Sequence, residues 1–527
     1  MTEATGIKEL FGCDDVYEYF NGITRLDHPS GNQNPDDDRN EDPVRAYVIS
    51  EAKKIKNTQV VLYNDKATEL GQRDIVLLRP GTGDYIDKKP IILQGHMDMV
   101  CNPDNMEFPL SLSIVEKDQA LWLKAKDKTG RDSTLGADDG IGVATALALL
   151  KDESLEKYPI ECLFTVQEET DMGGAMDFDI NYLNGDKMLN LDSENLPIII
   201  YGSAGGCDTK YTRKSMTTSL PLNMAWVKLE IKGLKGGHSG IDINKGRLNA
   251  IKALAVFLHN NFNQFSFLLQ GFDRLDSKTD NSIPADASVV VSVQKYLAQV
   301  LVDAFNKYAS TLRDEEQLLK PDQYQTEVLS LGNQECLDIE GTQIFINILN
   351  DLPTGVILEQ EGLVITSTNL FQANIKKLST GWDIEIGSSN RSSDNESFSK
   401  LLDQLEKTGE KYGFYVDLKI DSYPMWQPDE NSQLLKCAKE VYSEAYGTQY
   451  KAEVIHAGLE CAAFVEKYKD AGKEQVDKKL EAVALGPTIQ NPHTPNEVLL
   501  LKDADDNLVV KTFYNCVKQL IEKVMNS

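Results

Sequence analysis

Four short segments spread along the 527-residue chain end in the histidines and carboxylates that a two-metal hydrolase uses. They are Gly95-His96-Met97-Asp98, Gly136-Ala137-Asp138-Asp139-Gly140, Gln167-Glu168-Glu169-Thr170 and Asn491-Pro492-His493-Thr494-Pro495. A fifth, Leu189-Asn190-Leu191-Asp192-Ser193-Glu194, adds one more carboxylate after another apolar run. A dinuclear centre takes imidazole nitrogen and carboxylate oxygen, with one carboxylate shared by two ions a few ångströms apart. His96 and Asp98 stand at i and i+2, which on a strand turns both to one face, so Asp98 can orient His96 through its second ring nitrogen. Adjacent Glu168 and Glu169 point apart if their segment is extended, one toward an ion and the other toward the water. Taken singly, each segment is weak, because a Gly-His-x-Asp is usually a turn and paired acids usually open a solvated helix. Their joint occurrence carries the weight.

The elements that must position these residues are readable as well. Four of the five segments follow apolar runs of strand length, Pro90 to Leu93, Ile160 to Val166, Lys187 to Leu191 and Ala482 to Leu485, while the Asp138 segment opens an apolar helix. Open parallel sheets gather ligands where their strands finish, so residues distant in sequence converge on one crevice. From Phe20 to about Cys207, strand runs alternate with helical patterns such as Asp42 to Ile55 and Gly140 to Lys151, the rhythm of a doubly wound sheet. Beyond Gly206 the pattern changes. Trp226 to Lys232 and Thr380 to Ile386 read as strands, Leu248 to Asn261 and Ser397 to Lys411 as helices, and Ser432 to Ala445 is a further helix before the last strand. The chain is thus predicted to be α/β, a doubly wound catalytic domain (1–207 and 425–527) interrupted by an α+β insertion (208–424).

Length and composition bound the function. A chain of 527 residues is too long for one ordinary core. Its net charge of −28 excludes nucleic acid and anionic membrane as natural partners, since both repel such a surface. Met1 to Tyr19 lack a signal-type apolar core, and the longest apolar run, Ile141 to Leu150, is too short for a bilayer, which predicts cytoplasmic residence. Eight cysteines without a C-x-x-C pair fit a reducing compartment rather than a disulfide framework. Of six histidines, His96, His238, His456 and His493 lie in loop-like contexts, whereas His259 sits on a helical pattern and His28 precedes Pro29-Ser30-Gly31.

His96-Met97-Asp98-Met99-Val100, Leu135 to Gly142, Glu168-Glu169, Leu191 to Glu194, Gly236-Gly237-His238-Ser239-Gly240, His456-Ala457-Gly458-Leu459-Glu460 and His493-Thr494-Pro495 occur in an order that resembles the aminoacyl-histidine dipeptidases. These enzymes, also called peptidase D or Xaa-His dipeptidases, are a branch of the zinc-dependent M20 metallopeptidases. The resemblance runs from about residue 15 to the end. It implies two divalent ions per chain, zinc first, with manganese or cobalt as alternatives. His96 and Asp192 would be terminal ligands of one ion, Glu169 and His493 of the other, and Asp138 the bridge, with Asp139 the second choice. Glu168 would be the base for the water held between the ions, Asp98 the partner of His96, and His238 a donor to the oxyanion. The insertion would be the family's lid, with Asn281 and Arg391 holding the substrate's terminal carboxylate and His456, Gly458 and Glu460 lining its pocket. The implied substrate is a dipeptide, Xaa-His such as β-alanyl-histidine included. A homodimer is an assembly seen among such lids. The competing readings are an M20-type amidase or deacylase acting on N-acyl amino acids, and a binding protein of the same fold without catalysis. Two stretches, acidic Asn34 to Asp42 and Lys126 to Ser133, look like additions to the family pattern.

Overall fold

The apolar runs that precede the candidate ligands become neighbouring strands in the computed structural model, which describes residues 3–31, 40–67, 69–219, 223–276, 280–329, 335–379, 381–474 and 479–527. Ile160–Thr165, Ile91–His96, Lys187–Asn190 and Glu481–Ala484 lie side by side and parallel. Ile91, Ile92, Leu93, Ile160 and Leu163 are completely buried, as expected of strands covered on both faces. The sheet is parallel only at this centre. Ile75–Arg79 joins one side antiparallel and Ile198–Ser203 joins the other antiparallel, so the eight-stranded sheet is mixed.

The apolar Ala137–Lys151 helix packs on the sheet, and every residue from Ala137 to Leu150 is buried, which is where a helix without a polar face must go. Asp138 and Asp139 have non-helical backbone angles, so the regular helix begins near Gly140.

By its contacts the chain divides into two units. The first comprises Met1–Ser203, Trp426–Val454 and Leu459–Ser527, and the second Ala204–Met425 and Ile455–Gly458. The second unit thus includes a short later stretch that carries His456. Each unit has its own apolar core. The second unit holds a five-stranded antiparallel sheet, including Gly205–Ser215, Gly381–Ser392 and Tyr415–Tyr423, and a four-stranded one centred on Met224–Ile231 and Ala287–Gln294.

The Lys126 to Ser133 stretch forms a tight loop around Asp127, whose carboxylate accepts from Thr129 and Arg131, and ends in a short strand paired to Ala120–Lys126. Most of the acidic Asn34 to Asp42 stretch, residues 34–39, lies outside the described residues. Among the described residues no helix is long and apolar enough to cross a membrane.

Candidate metal centre

His96 closes the Ile91–His96 strand and is fully buried. Its Nδ1 lies 3.0 Å from the Asp98 carbonyl oxygen, which only accepts, so Nδ1 carries a proton. Nε2 then faces Asp138 Oδ1 at 3.0 Å and Asp192 Oδ1 at 3.7 Å. The expectation that Asp98 shares a strand with His96 needs correction, while the expected carboxylate does stand beside the His96 ring. The strand ends at His96, the carboxylate stands 3.5 Å from Nδ1, and the shorter contact is the carbonyl. The Asp98 carboxylate also accepts from Ser30 Oγ at 2.5 Å and from the backbone N–H groups of Glu168 and Glu169 at 3.1 and 3.2 Å. It couples the histidine strand to the glutamate turn.

That turn is not extended. Gln167 has a left-handed φ of 58°, after which Glu168–Asp171 form a single helical turn. One helical turn lets neighbouring side chains serve the same cluster, so Glu168 and Glu169 both approach His96 instead of pointing apart, contrary to the strand-based expectation. Glu169 Oε2 also meets His493 Nε2 at 2.8 Å.

Asp138 stands between the two histidines. Its Oδ1 is 3.0 Å from His96 Nε2 and its Oδ2 3.1 Å from His493 Nε2, one oxygen for each imidazole. Asp139 turns the other way, with Oδ1 accepting from Gly142 N at 3.1 Å. Gly95 and Gly142 make room for it. A Cβ on Gly95 would lie 2.1 Å from Asp139 Oδ2, and one on Gly142 2.2 Å from Oδ1. The glycine of the Gly-His-x-Asp segment thus accommodates a buried acid on the adjacent helix.

Glu497, four residues after His493, was not among the residues singled out from the sequence. Its buried carboxylate accepts backbone N–H groups from Leu135 at 2.7 Å, Gly136 at 3.0 Å, Ala137 at 2.8 Å and Asp138 at 3.4 Å. It ties the Asp138 loop to the His493 loop. The sequence signal, a lone acid in a Pro-Asn-Glu run, is too ordinary to find by inspection. Leaving several buried N–H donors unpaired costs about 1–3 kcal/mol apiece. Glu497→Ala is therefore expected to lose about 3 kcal/mol of stability in urea unfolding. Glu497→Gln, which keeps one acceptor oxygen, should lose roughly half of that. Equal unfolding midpoints for both variants and the parent would remove this role.

The cluster is crowded with negative charge. Burial alone would lower the pKa of His96, but Asp192, then Asp138 and Asp98, outweigh it and hold the imidazole well above its ordinary range. Burial first, then repulsion from nearby carboxylates, holds Glu168 well above the usual carboxylate range and raises Glu169. Glu169 Oε1 is buried without a hydrogen-bond partner among the described residues. Two donor sets, His96 with Asp138 and Asp192, and His493 with Asp138 and Glu169, each have their ligand atoms within 4.8 Å and share Asp138. Imidazole nitrogen with carboxylate oxygen suits zinc and similar divalent ions, and an orphaned carboxylate oxygen amid like charges is the vacancy in bonding that a cation fills. The residues fit a dinuclear centre.

The remaining candidates lie in the second unit, with one exception. His238 Nδ1 accepts from the backbone N–H groups of Gly240 and Ile241, each at 3.1 Å, which puts the ring proton of the neutral imidazole on Nε2. Asn281 is exposed and its carbonyl accepts from Ser239 N at 2.7 Å. Arg391 is only 7% exposed, donates to Tyr423 Oη at 2.5 Å and contacts Ser239 Oγ at 3.5 Å, while its Nε has no partner among the described residues. His456 meets Ser367 Oγ through Nε2 at 2.7 Å, and Gly458 closes the same Ile455–Gly458 stretch. Burial, then the Arg391 charge, lowers His456 to about 4, so it is neutral at physiological pH. Glu460 is the exception. It belongs to the first unit, is fully buried, and accepts from Gln94 Nε2 at 2.5 Å and Thr165 Oγ1 at 2.8 Å. It braces two central strands rather than lining a pocket.

Comparison with known proteins gives the family. The profile of peptidase family M20/M25/M40 matches residues 92–517. The chain belongs to this family. Among its relatives, the cytosol non-specific dipeptidase of Escherichia coli is 32% identical over 489 residues, covering 92% of this chain and 93% of that protein. The crystal structure of aminoacylhistidine dipeptidase from Vibrio alginolyticus superposes with a TM-score of 0.71 at 29% identity, covering 97% of this chain and 96% of that one. Aminopeptidase PepT from Bacillus cereus shares the fold at a TM-score of 0.53 and 15% identity, over 97% and 98% of the two chains. In this M20 peptidase, the matched span contains every candidate ligand from His96 to His493, and Glu497 with them.

Proposed function

We propose that the chain is a cytosolic dipeptidase that binds two divalent ions, zinc foremost, and cleaves dipeptides including Xaa-His substrates of the β-alanyl-histidine kind. The observation that carries this reading is the Asp138 carboxylate set with one oxygen toward each of two histidines, His96 and His493. The relatives, a non-specific dipeptidase and an aminoacylhistidine dipeptidase, support the substrate class. His96 and Asp192 would hold one ion, Glu169 and His493 the other, and Asp138 both. When bound, such ions supply Lewis acidity, lowering the pKa of water and polarising a carbonyl.

The chain's own groups do the rest. Glu168 is a carboxylate beyond the two donor sets that share Asp138, and it takes the proton of the attacking water and returns it to the leaving amine. Burial disfavours its charged form, which makes it a stronger base than an exposed glutamate and favours the protonated state it passes through. Asp98, through the backbone N–H groups of Glu168 and Glu169, keeps that base in place. By the family resemblance, His238 would donate to the developing oxyanion and Arg391 would take the substrate's terminal carboxylate.

A kinetic comparison of free dipeptides with their C-terminal amides tests the reading. Arg391→Ala is expected to raise KM for Ala-His about 100-fold and to leave the amide nearly unchanged, because a lost carboxylate fork removes binding shared by ground and transition states. If the unmutated protein hydrolyses amides and free acids equally well, terminal-carboxylate recognition is wrong and the dipeptidase assignment falls.

A further inference from the structure

Glu194 is an acid of the centre that none of the roles above uses. It lies two residues beyond Asp192, and its backbone is held on the first unit's sheet, since its carbonyl accepts from Ile489 N at 3.0 Å and Ser193 N donates to Leu485 O at 3.3 Å. The charged groups acting on its carboxylate are Asp138, His493, Asp192 and Glu169, the surroundings of the second donor set. Yet Glu194 belongs to none of the His-carboxylate groups whose ligand atoms cluster within 4.8 Å. The side chain is half-buried, hence reachable by a small ligand, and among the described residues no hydrogen bond or ion pair engages it. Asp139, by contrast, is packed away against Gly95 and Gly142, and Glu497 is saturated by backbone N–H groups.

Charge balance says what such a group is for. This step rests on the two-metal reading. Three ligand carboxylates, Asp138, Asp192 and Glu169, together with Glu168 match the charge of two divalent cations, and Asp98 is taken up by Ser30 and the backbone N–H groups of Glu168 and Glu169, so Glu194 is left as a carboxylate of this centre without a partner among the described residues. An accessible, unpaired carboxylate in that position attracts a cation that arrives with the substrate. In a dipeptide the only obligatory cation is the terminal ammonium, two bonds from the scissile carbonyl carbon in an α-aminoacyl residue and three in a β-alanyl one. We propose that Glu194 anchors the free ammonium of the substrate's N-terminal residue and so makes the enzyme read an unacylated amine. An N-acyl amino acid brings no charge to that position and leaves the Glu194 carboxylate unpaired, which is how a site built to hydrogen-bond one group rejects an analogue lacking it.

The test uses Ala-His as substrate and propionyl-histidine, of nearly the same size but without the amine, as competitor. Glu194→Gln is expected to raise KM for Ala-His by about 10- to 100-fold, the usual range for losing a charged hydrogen bond. The inhibition constant of propionyl-histidine should stay within about twofold, and Glu194→Asp should recover part of the loss. Metal content should remain that of the parent. A Glu194→Gln protein that loses metal would make Glu194 a ligand and overturn the proposal, as would equal weakening of both compounds or no change in either. Failure of the metal-loaded parent to cleave Ala-His at all would instead sink the dipeptidase reading on which the proposal rests, a result seen before any variant is made.

Discussion

Glu168→Gln is expected to lower kcat for dipeptide hydrolysis by about 10² to 10⁴ with the metal content of the parent retained, because general-base catalysis contributes on that scale. The substitution is nearly isosteric and leaves the Glu168 backbone N–H on Asp98, so the turn that carries both glutamates persists. What disappears is the ability to accept a proton. KM should change little, since the base acts mainly in the transition state. Glu169→Gln should behave differently. Its carboxylate faces His493 and carries the orphaned buried oxygen, so its loss should reduce metal binding first and activity as a consequence. Elemental analysis beside kcat distinguishes the two, and a metal-depleted Glu168→Gln with a fully loaded Glu169→Gln would exchange the roles.

The second large effect concerns the shared carboxylate. Asp138→Ala is expected to empty both metal positions together and abolish activity, whereas His96→Ala and His493→Ala should each weaken one position more than the other. Asp138 is the group that meets both imidazoles, and a shared carboxylate also offsets the repulsion between two close dications. Metal titration followed by mass spectrometry of the intact protein reads the stoichiometry directly. Two ions retained in Asp138→Ala, with loss in Asp139→Ala, would move the bridge to Asp139. That outcome is disfavoured by the packing of Asp139 between Gly95 and Gly142, which keeps it 3.1 Å from a backbone N–H.

Much of this centre was legible because its chemistry is local in sequence. His96, Asp138, Glu168, Glu169, Asp192 and His493 each stand at the end of an apolar run or the start of a buried helix, and strands of that composition can only be core. Parallel pairing of Ile91–His96 with Ile160–Thr165 and Lys187–Asn190 then brings their ends together without further instruction. The failures have a common cause too. Asp98, Glu168 and Glu169 were read with strand geometry, but Asp98 lies past its strand and the glutamates occupy a helical turn set by a left-handed residue, Gln167, that no propensity marks.

Residue type and order determined which family of chemistry this chain performs, since imidazole and carboxylate donors after buried strands leave few other uses. Tertiary structure decided the assignments that depend on distance. Which of two adjacent aspartates meets both histidines, that Glu460 braces Gln94 and Thr165, and that Glu497 gathers four backbone N–H groups from some 360 residues away are such assignments. Sequence spacing fixes the direction of a side chain within one element. Hydrogen bonding over a few ångströms between elements is fixed only when packing has brought them together.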